Sequence, residues 1–364
     1  MYEEDKRIVL TLDAGGTNLV FSAMRSCRQT GKSFRLPTRA ESLDRCLEQI
    51  VSGFDALMDG LPEPPAAISF AFPGPADYAN GIIGDLPNFP SFRGGVALGP
   101  FLEEKFHLPV FINNDGDLFT YGEALSGILP ETNARLEATG SGKRFHNLLG
   151  VTLGTGFGAG VVTEDCHLLR GDNSCGGDVW CTPCKFRPEL IAEEDVSIRA
   201  VKRVYNELTQ DSRDLAPKDI FDIAEGSVQG DRQAALTAFA RLGEAMGHTI
   251  AQAITLLDGL VVIGGGLSGA SKYFMPALLD ELRGTAGTLS GESFPRLQMS
   301  VFDLDDEFEA FAKGSPRMID IPLSHRKVPY DPVKRIGIGI SRLGTSNAVS
   351  IGAYTFALNS LDIK

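Results

Sequence analysis

The sequence predicts an α/β protein built from two similar half-domains, and three junctions between an apolar strand and a glycine turn predict it. Ile8-Val9-Leu10-Thr11-Leu12 empties into Asp13-Ala14-Gly15-Gly16-Thr17-Asn18. Leu148 to Leu153 runs into Gly154-Thr155-Gly156-Phe157-Gly158-Ala159-Gly160 and resumes as Val161-Val162. Leu260-Val261-Val262-Ile263 ends at Gly264-Gly265-Gly266. A buried strand that opens into glycines places backbone N–H groups where only a residue without Cβ lets another group approach closely, the usual cradle for phosphate oxygens. For any one junction, a tight turn of Asp and Gly is the plain alternative. Two strand-turn-strand units in one chain point to half-domains that each bring a glycine turn to a shared cleft. The third junction offers backbone to a flat ring such as adenine.

The other elements follow in order. Leu43, Cys46, Leu47, Ile50, Val51, Phe54, Leu57 and Met58 recur at helical spacing, which predicts an amphipathic helix from about 41 to 59, stopped by Leu61-Pro62-Glu63-Pro64-Pro65. Ala66 to Phe72 reads as a strand ending at Pro73-Gly74-Pro75, and Val110-Phe111-Ile112 as another ending at Asn113-Asn114-Asp115. Three strands therefore deliver Asp13, Gly74 and Asp115 from their carboxyl ends, where ligands of open α/β sheets bind. Pro130 to Arg144, rich in Glu, Thr, Gly and Lys, reads as an exposed connection near the domain boundary. Ala192 to Leu208 and Gln233 to Leu257 read as long helices, the second with Leu236, Phe239, Leu242, Met246, Ile250, Ile254 and Leu257 on one face. Val301 to Arg335 is charged and proline-bearing and reads as a surface insertion, after which Ile336 to Arg342 resumes a strand and Ala348 to Leu358 a helix.

Composition narrows the function classes. With 364 residues the chain is long enough for two domains that each bury a core, and 43 % hydrophobic against 22 % charged residues places it with ordinary globular proteins. A formal charge of −13 argues against a nucleic-acid partner, because phosphate backbones are bound largely through Lys and Arg. Met1-Tyr2-Glu3-Glu4-Asp5-Lys6-Arg7 lacks the apolar core of a signal peptide, and no run approaches the roughly 18 apolar residues of a membrane span. A cytoplasmic location is the expectation. In that compartment Cys27, Cys46, Cys166, Cys175, Cys181 and Cys184 are free thiols or metal ligands rather than a disulfide framework.

Asp13-Ala14-Gly15-Gly16-Thr17-Asn18, Phe72-Pro73-Gly74-Pro75, Asn113-Asn114-Asp115, the Gly154–Gly160 turn and Val261–Gly266 occur in the order and at the spacing found in the ROK sugar kinases and repressors, which the chain resembles over nearly its whole length. The resemblance implies the two-lobed actin-like ATPase (ribonuclease H-like) fold with a nucleotide cleft between the lobes. It sets an N-terminal lobe at 1–130, completed by a C-terminal helix at about 345–364 that packs back on it. A second lobe follows at 131–344 with the insertion at about 301–335. Gly15, Gly16, Thr17 and Asn18 would line one side of the ATP phosphates and Gly154, Thr155, Gly156 and Gly158 the other. Asp13 would hold Mg²⁺ through water, since that ion tends to keep several of its waters. Gly264, Gly265 and Gly266 would face the adenosine. Asp115 stands as the proton acceptor for an attacking hydroxyl, with a plain helix-capping role as its alternative.

For the sugar, the resemblance points to Gly74, Asn88, Asn114 and Asp115. The family's Glu-x-Gly-His segment, cysteine-rich zinc loop and second Glu are altered here. Cys175-Gly176-Gly177-Asp178-Val179-Trp180-Cys181 aligns Asp178 with the first Glu and Cys181 with the His, and the zinc loop shrinks to Thr182-Pro183-Cys184-Lys185-Phe186-Arg187. Glu193, four residues before Ser197, matches the second Glu, with Glu194 beside it. Cys175, Cys181 and Cys184, with Cys166 or His167 as a fourth ligand, would suit tetrahedral Zn²⁺; inert thiols and a Cys-x-x-Cys redox pair are the alternatives. The reading that results is an ATP-dependent kinase for a hydroxyl of a hexose or amino sugar, a homodimer with no nucleic-acid or membrane partner. The alternatives are a sugar-binding regulator that has lost catalysis and a repressor, the latter disfavoured because only 12 residues precede Asp13.

Overall fold

The computed structural model describes residues 2–14, 18–86, 89–173, 175–211 and 213–363, so Gly15, Gly16, Thr17 and Asn88 of the expected site lie outside the described residues. By its own packing the chain divides into two units. Met1–Gly127, Ala159–Gly177 and Arg342–Lys364 make the first; Ile128–Gly158 and Asp178–Ser341 make the second.

The first unit opens with an antiparallel meander of β1 (Val9–Ala14), β2 (Asn18–Arg25) and β3 (Arg28–Pro37). Helix α1 (Leu43–Met58) follows, its N-terminus capped by Ser42 and its Cys46, Ile50, Phe54 and Leu57 buried at helical spacing. Then come β4 (Ala67–Ala71), a short hairpin of β5 (Ala76–Asp77) and β6 (Ile82–Ile83), α2 (Leu98–Phe106), β7 (Val110–Asn113) and α3 (Asp115–Ser126). The sheet runs β3-β2-β1-β4-β7, with β1, β4 and β7 parallel. Every residue of β4 is buried, as expected of a central strand covered on both faces. Phe21, Phe54, Phe70, Phe72, Phe89 and Phe92 form a continuous chain of ring contacts in the core, with centroids 5.2–6.2 Å apart.

In the second unit, α4 (Ile128–Ala138) occupies most of the stretch expected to be an exposed connection. The difference has a physical reason. Leu129, Thr132 and Leu136 make a buried stripe one residue wide, and the Arg135 guanidinium lies 3.6 Å over the Phe308 ring, so little apolar sequence is needed. Strand β8 (Leu148–Leu153) leads through the glycine turn to β9 (Phe157–Thr163), which pairs with β10 (His167–Leu168). Residues 159–177 group with the first unit rather than the second, where the sequence boundaries had them. The reason is contact: a Cβ on Gly160 would lie 2.6 Å from the carbonyl of Gly116 in α3.

Helices α5 (Ile198–Thr209), α6 (Pro217–Glu225) and α7 (Arg232–Leu257) follow, then β11 (Leu260–Gly264) and α8 (Ser271–Leu282). The expected helix from 192 is broken. Ala192–Glu194 is a single 3-10 turn, and Ser197 is fully extended, so α5 starts anew at Ile198. A hairpin of β12 (Thr285–Gly287) and β13 (Ser293–Pro295) precedes β14 (Ser300–Asp303), α9 (Phe308–Lys313), the hairpin of β15 (Arg317–Asp320) and β16 (Lys327–Tyr330), and β17 (Arg335–Ile340). The expected insertion therefore contracts. Strand β14 pairs with β17, and Phe311 of α9 is fully buried against Phe145; the protruding part is the β15–β16 hairpin. Within this unit β8, β11, β17 and β14 lie side by side, all parallel.

The closing helix α10 (Thr345–Asp362) belongs to the first unit. It crosses α3 at glycines: a Cβ on Gly122 would sit 2.0 Å from the Ala348 carbonyl, and one on Gly352 would sit 1.9 Å from that of Leu118. The backbones can approach this closely only without side chains. The buried Tyr354 hydroxyl accepts from Ser26 N at 3.0 Å and lies 3.2 Å from the Asp5 carbonyl, fixing α10 to the start of the chain.

Candidate functional site

In the first unit the pairing of β1, β4 and β7 sets Asp13, Ala71 and Asn113 in one row across the carboxyl end of the sheet. Two residues beyond that row the chain turns into α3. Asn114 is its N-cap, accepting Gly116 N at 2.8 Å, and Asp115 is the first helical residue. Asn114 thus supplies the cap, and the neighbouring Asp115 carboxylate also accepts Gly116 N at 2.9 Å. Loss of hydration raises the proton affinity of Asp115, and the nearby Asp13 charge raises it further; the Gly116 hydrogen bond opposes both. A carboxylate with raised proton affinity near a second carboxylate suits the acceptance of a hydroxyl proton.

Asn114 Nδ2 reaches Tyr78 Oη at 3.5 Å, and that hydroxyl donates to the Phe72 carbonyl at 2.9 Å, so Asn114 is oriented from the turn that carries Gly74. Sequence reasoning missed Arg170. Its guanidinium bonds Asn113 Oδ1 and lies 4.7 Å over the Phe356 ring. Desolvation weakens its hold on its proton, and Asp117 counters this. A cavity of about 540 Å³ opens here, lined among others by Asp77, Tyr78, Asn80, Asp117, Arg170 and Cys175. No spacing rule pointed to Arg170; only its place after Leu168-Leu169 set it at a strand end.

In the second unit the glycine turn closes with Gly154 N on Gly156 O at 3.0 Å, and its Gly154 carbonyl accepts Ile198 N at 2.9 Å. Glu193 is engaged by the glycine turn and by α5. Its Oε2 accepts Phe157 N at 3.0 Å, and its Oε1 accepts Arg199 Nη2 at 3.0 Å. Arg199 also donates to the Thr155 carbonyl at 3.3 Å. The carboxylate expected on sugar therefore braces the turn, because the 3-10 geometry at Ala192–Glu194 aims it back at Gly156 and Phe157.

The glycines after β11 divide in role. Gly264 ends the strand, and Gly265 (φ +91°) packs so tightly on β8 that a Cβ would lie 2.2 Å from the Leu153 carbonyl. Gly266 lines a cavity of about 240 Å³, with Phe221, Phe239, Leu267 and Ala270 around it.

Asp178 precedes a 3-10 turn (Val179–Cys181), and its Oδ1 accepts the indole N–H of the half-exposed Trp180 at 3.1 Å. Two of the thiols weighed as zinc ligands are engaged within the second unit. Cys181 Sγ donates to the Asp178 carbonyl at 3.1 Å, and the buried Cys184 thiol donates to Asp195. Among the described residues no group of three or more His, Cys, Asp or Glu is arranged to hold a metal ion. The donor set present does not fit Zn²⁺.

The model of the ROK family matches residues 9–287. The chain belongs to the ROK family. A glucokinase from Thermotoga maritima is 27 % identical over 298 residues, covering 75 % of this chain and 86 % of that relative. The crystal structure of a glucokinase from Parabacteroides distasonis is 58 % identical, covers 99 % of both chains and superposes with a TM-score of 0.91. A ROK glucokinase from Streptomyces griseus, solved with glucose and AMPPNP, is 16 % identical with a TM-score of 0.60 over 96 % of this chain and 98 % of that one, a likeness of fold. This ROK protein thus has the actin-like ATPase fold of the ROK sugar kinases. Among the described residues no helix is long and apolar enough to cross a membrane.

Proposed function

We propose that the chain transfers the γ-phosphoryl group of ATP to a hydroxyl of a hexose or amino sugar, with glucose the first candidate on the strength of the 58 % identity to a glucokinase. The observation that carries the reading is Asp115: a carboxylate with raised proton affinity, on the first turn of α3, just beyond the row that holds Asp13. In a loose phosphoryl-transfer transition state the hydroxyl proton leaves late, so a fixed acceptor oxygen matters more than strong basicity. Asp115 would take the proton from the sugar hydroxyl, and the α3 N-terminus favours its anionic form before transfer. Asn114, Gly74 and Asp178 would bind neighbouring hydroxyls.

On the nucleotide side, Asp13 would hold Mg²⁺ through water; when bound, that ion offsets charge on the β- and γ-phosphate oxygens. Gly154, Thr155, Gly156 and Gly158 would offer backbone to the phosphates, in company with Gly15, Gly16, Thr17 and Asn18, and the cavity beside Gly266 would take the adenine. A homodimer in the cytoplasm is the expected setting. The altered segment 175–187 favours one competing reading, a sugar-binding regulator without turnover. A coupled assay of ATP consumption across common hexoses and N-acetylhexosamines separates the two. Turnover of at least one sugar supports the kinase, and sugar binding with no turnover of any would replace it with the regulator.

A further inference from the structure

The loop from Thr182 to Ile191 has no metal set, yet it is closely held. Cys184 N donates to the Leu190 carbonyl at 2.8 Å, Ala192 N to the Thr182 carbonyl at 2.7 Å, and Pro183 bridges Ile191. On its inner side stands Asp195, only 5 % exposed. Its Oδ1 accepts Arg187 Nη2 at 2.7 Å and Arg203 Nη2 at 2.6 Å, and its Oδ2 accepts the Cys184 thiol. Arg203 also donates to the Glu194 carbonyl at 2.7 Å. On the other side Lys185 Nζ lies 2.6 Å from Glu244 of α7 and 2.5 Å from Glu281 of α8.

We infer that Asp195 is a positioning residue: a metal-independent clamp that ties the loop to α5 and so holds Glu193 against the glycine turn. Three donors converge on one buried carboxylate two residues from Glu193. A buried charge that has such partners is stable in place, and removing it takes the shared carboxylate from Arg187 and from Arg203, the latter keeping Glu207 at 3.4 Å. The thiol chemistry agrees. The Cys184 thiol donates its proton to Asp195 Oδ2, which makes it a third member of the clamp. From Asp195 the support passes along the chain through the turn at Ala192–Glu194 to Glu193, then to Phe157 N, and in parallel through Arg199 to the Thr155 carbonyl. The consequence for ATP rests on the proposed kinase reading; the clamp itself does not.

The test uses the full chain. Asp195→Asn keeps shape and removes the charge; Arg187→Met, which takes away one half-exposed donor, serves if Asp195→Asn fails to fold. Hydrogen exchange should quicken at the Gly154 and Phe157 amides in either variant, with α10 amides unchanged. The KM for ATP should rise at least tenfold or so while kcat falls less than about threefold, as expected when a charged partner of a bracing network is lost. Cys184→Ser, which retains an O–H donor, should keep the wild-type exchange pattern. Wild-type protein should keep its melting temperature in excess phenanthroline. Unchanged exchange at Phe157 in both variants, or one zinc per chain whose removal lowers the melting temperature, would overturn the clamp. Quickened exchange with an unchanged KM for ATP supports the clamp and counts instead against the phosphate role proposed for the turn.

Discussion

The Glu193 carboxylate accepts the backbone N–H of Phe157 at 3.0 Å, across 36 residues of chain. One side chain therefore joins the turn after β8 to the loop before α5, and the expected effect of changing it moves from the sugar to the nucleotide. Glu193→Ala should raise the KM for ATP by roughly ten- to hundredfold, the effect of leaving a partly buried donor unpaired at about 1–3 kcal/mol. The sugar KM should change far less. Steady-state kinetics with each substrate varied in turn decides it, and a larger shift in the sugar KM would return Glu193 to the sugar site.

Asp115→Asn should lower kcat by two or more orders of magnitude and leave sugar binding intact, since Asn keeps the acceptor for Gly116 N but cannot take a proton. The same change should raise stability at neutral pH. The folded-state pKa of Asp115 is raised, so its favourable contribution exists below the ordinary Asp value and is lost as pH climbs through the raised one. At neutral pH the ionised group is a net burden on the fold. A melting temperature of the variant below that of wild type at pH 7 would contradict this.

Activity and stability should part company in acid. The acid limb of kcat/KM should lie above the ordinary Asp value of about 3.9, because Asp115 protonates early. Asp195 behaves oppositely. Burial favours its protonation, but Cys184 and the two arginines outweigh it and hold the carboxyl below the usual range. Its contribution is present above about 3.9 and is lost only as pH falls through the lowered value. Circular dichroism recorded along the pH–rate profile should stay native through the whole loss of activity, and a coincident unfolding transition would rule out the assignment.

Gly266→Leu tests the nucleotide pocket. A Cβ there meets open space, so the fold should tolerate it while the side chain fills the cavity beside Phe221 and Phe239. ATP affinity, measured by titration calorimetry, should fall at least about tenfold, as a ring that has lost its apolar site forfeits a few kcal/mol. An unaltered affinity would move the adenine elsewhere.

Gly352→Ala tests the α3–α10 crossing. The added methyl would fall 1.9 Å from the Leu118 carbonyl, so the helices must separate, at about 1–3 kcal/mol for overpacking of this kind. Denaturant unfolding should show the loss in the midpoint.

The strand ends were legible because each couples a buried apolar run to a residue type that can leave the sheet: Leu12 to Asp13, Ile112 to Asn113 and Asn114, Ile263 to Gly264. Position in the sheet then follows from pairing, which sets Asp13 and Asn113 in one row. What the sequence concealed is of another kind. Helix α4 buries so few side chains that its period is lost among polar neighbours, and β14 is four residues long beside a run of charges. Glu193 shows the deeper limit. A carboxylate in a sequence looks the same whether its partner will be a sugar hydroxyl or a backbone amide, and only the turn geometry chooses. Cys184 likewise reads alike as an inert thiol, a metal ligand or a redox thiol until Asp195 is found beside it.

Because α10 fills a place in the first unit, residues 345–362 complete a structure whose first strand is β1, with the whole second unit lying between them in the sequence. Without residues 345–362, Gly122 and the inner face of α3 stay uncovered and Tyr354 is missing from its place beside Asp5 and Ser26. Maturation on the ribosome therefore cannot proceed strictly from the N-terminus, as it does for chains whose domains are contiguous. The second unit can finish while the first still waits, and a nascent chain halted just short of α10 is the species that chaperones should hold longest.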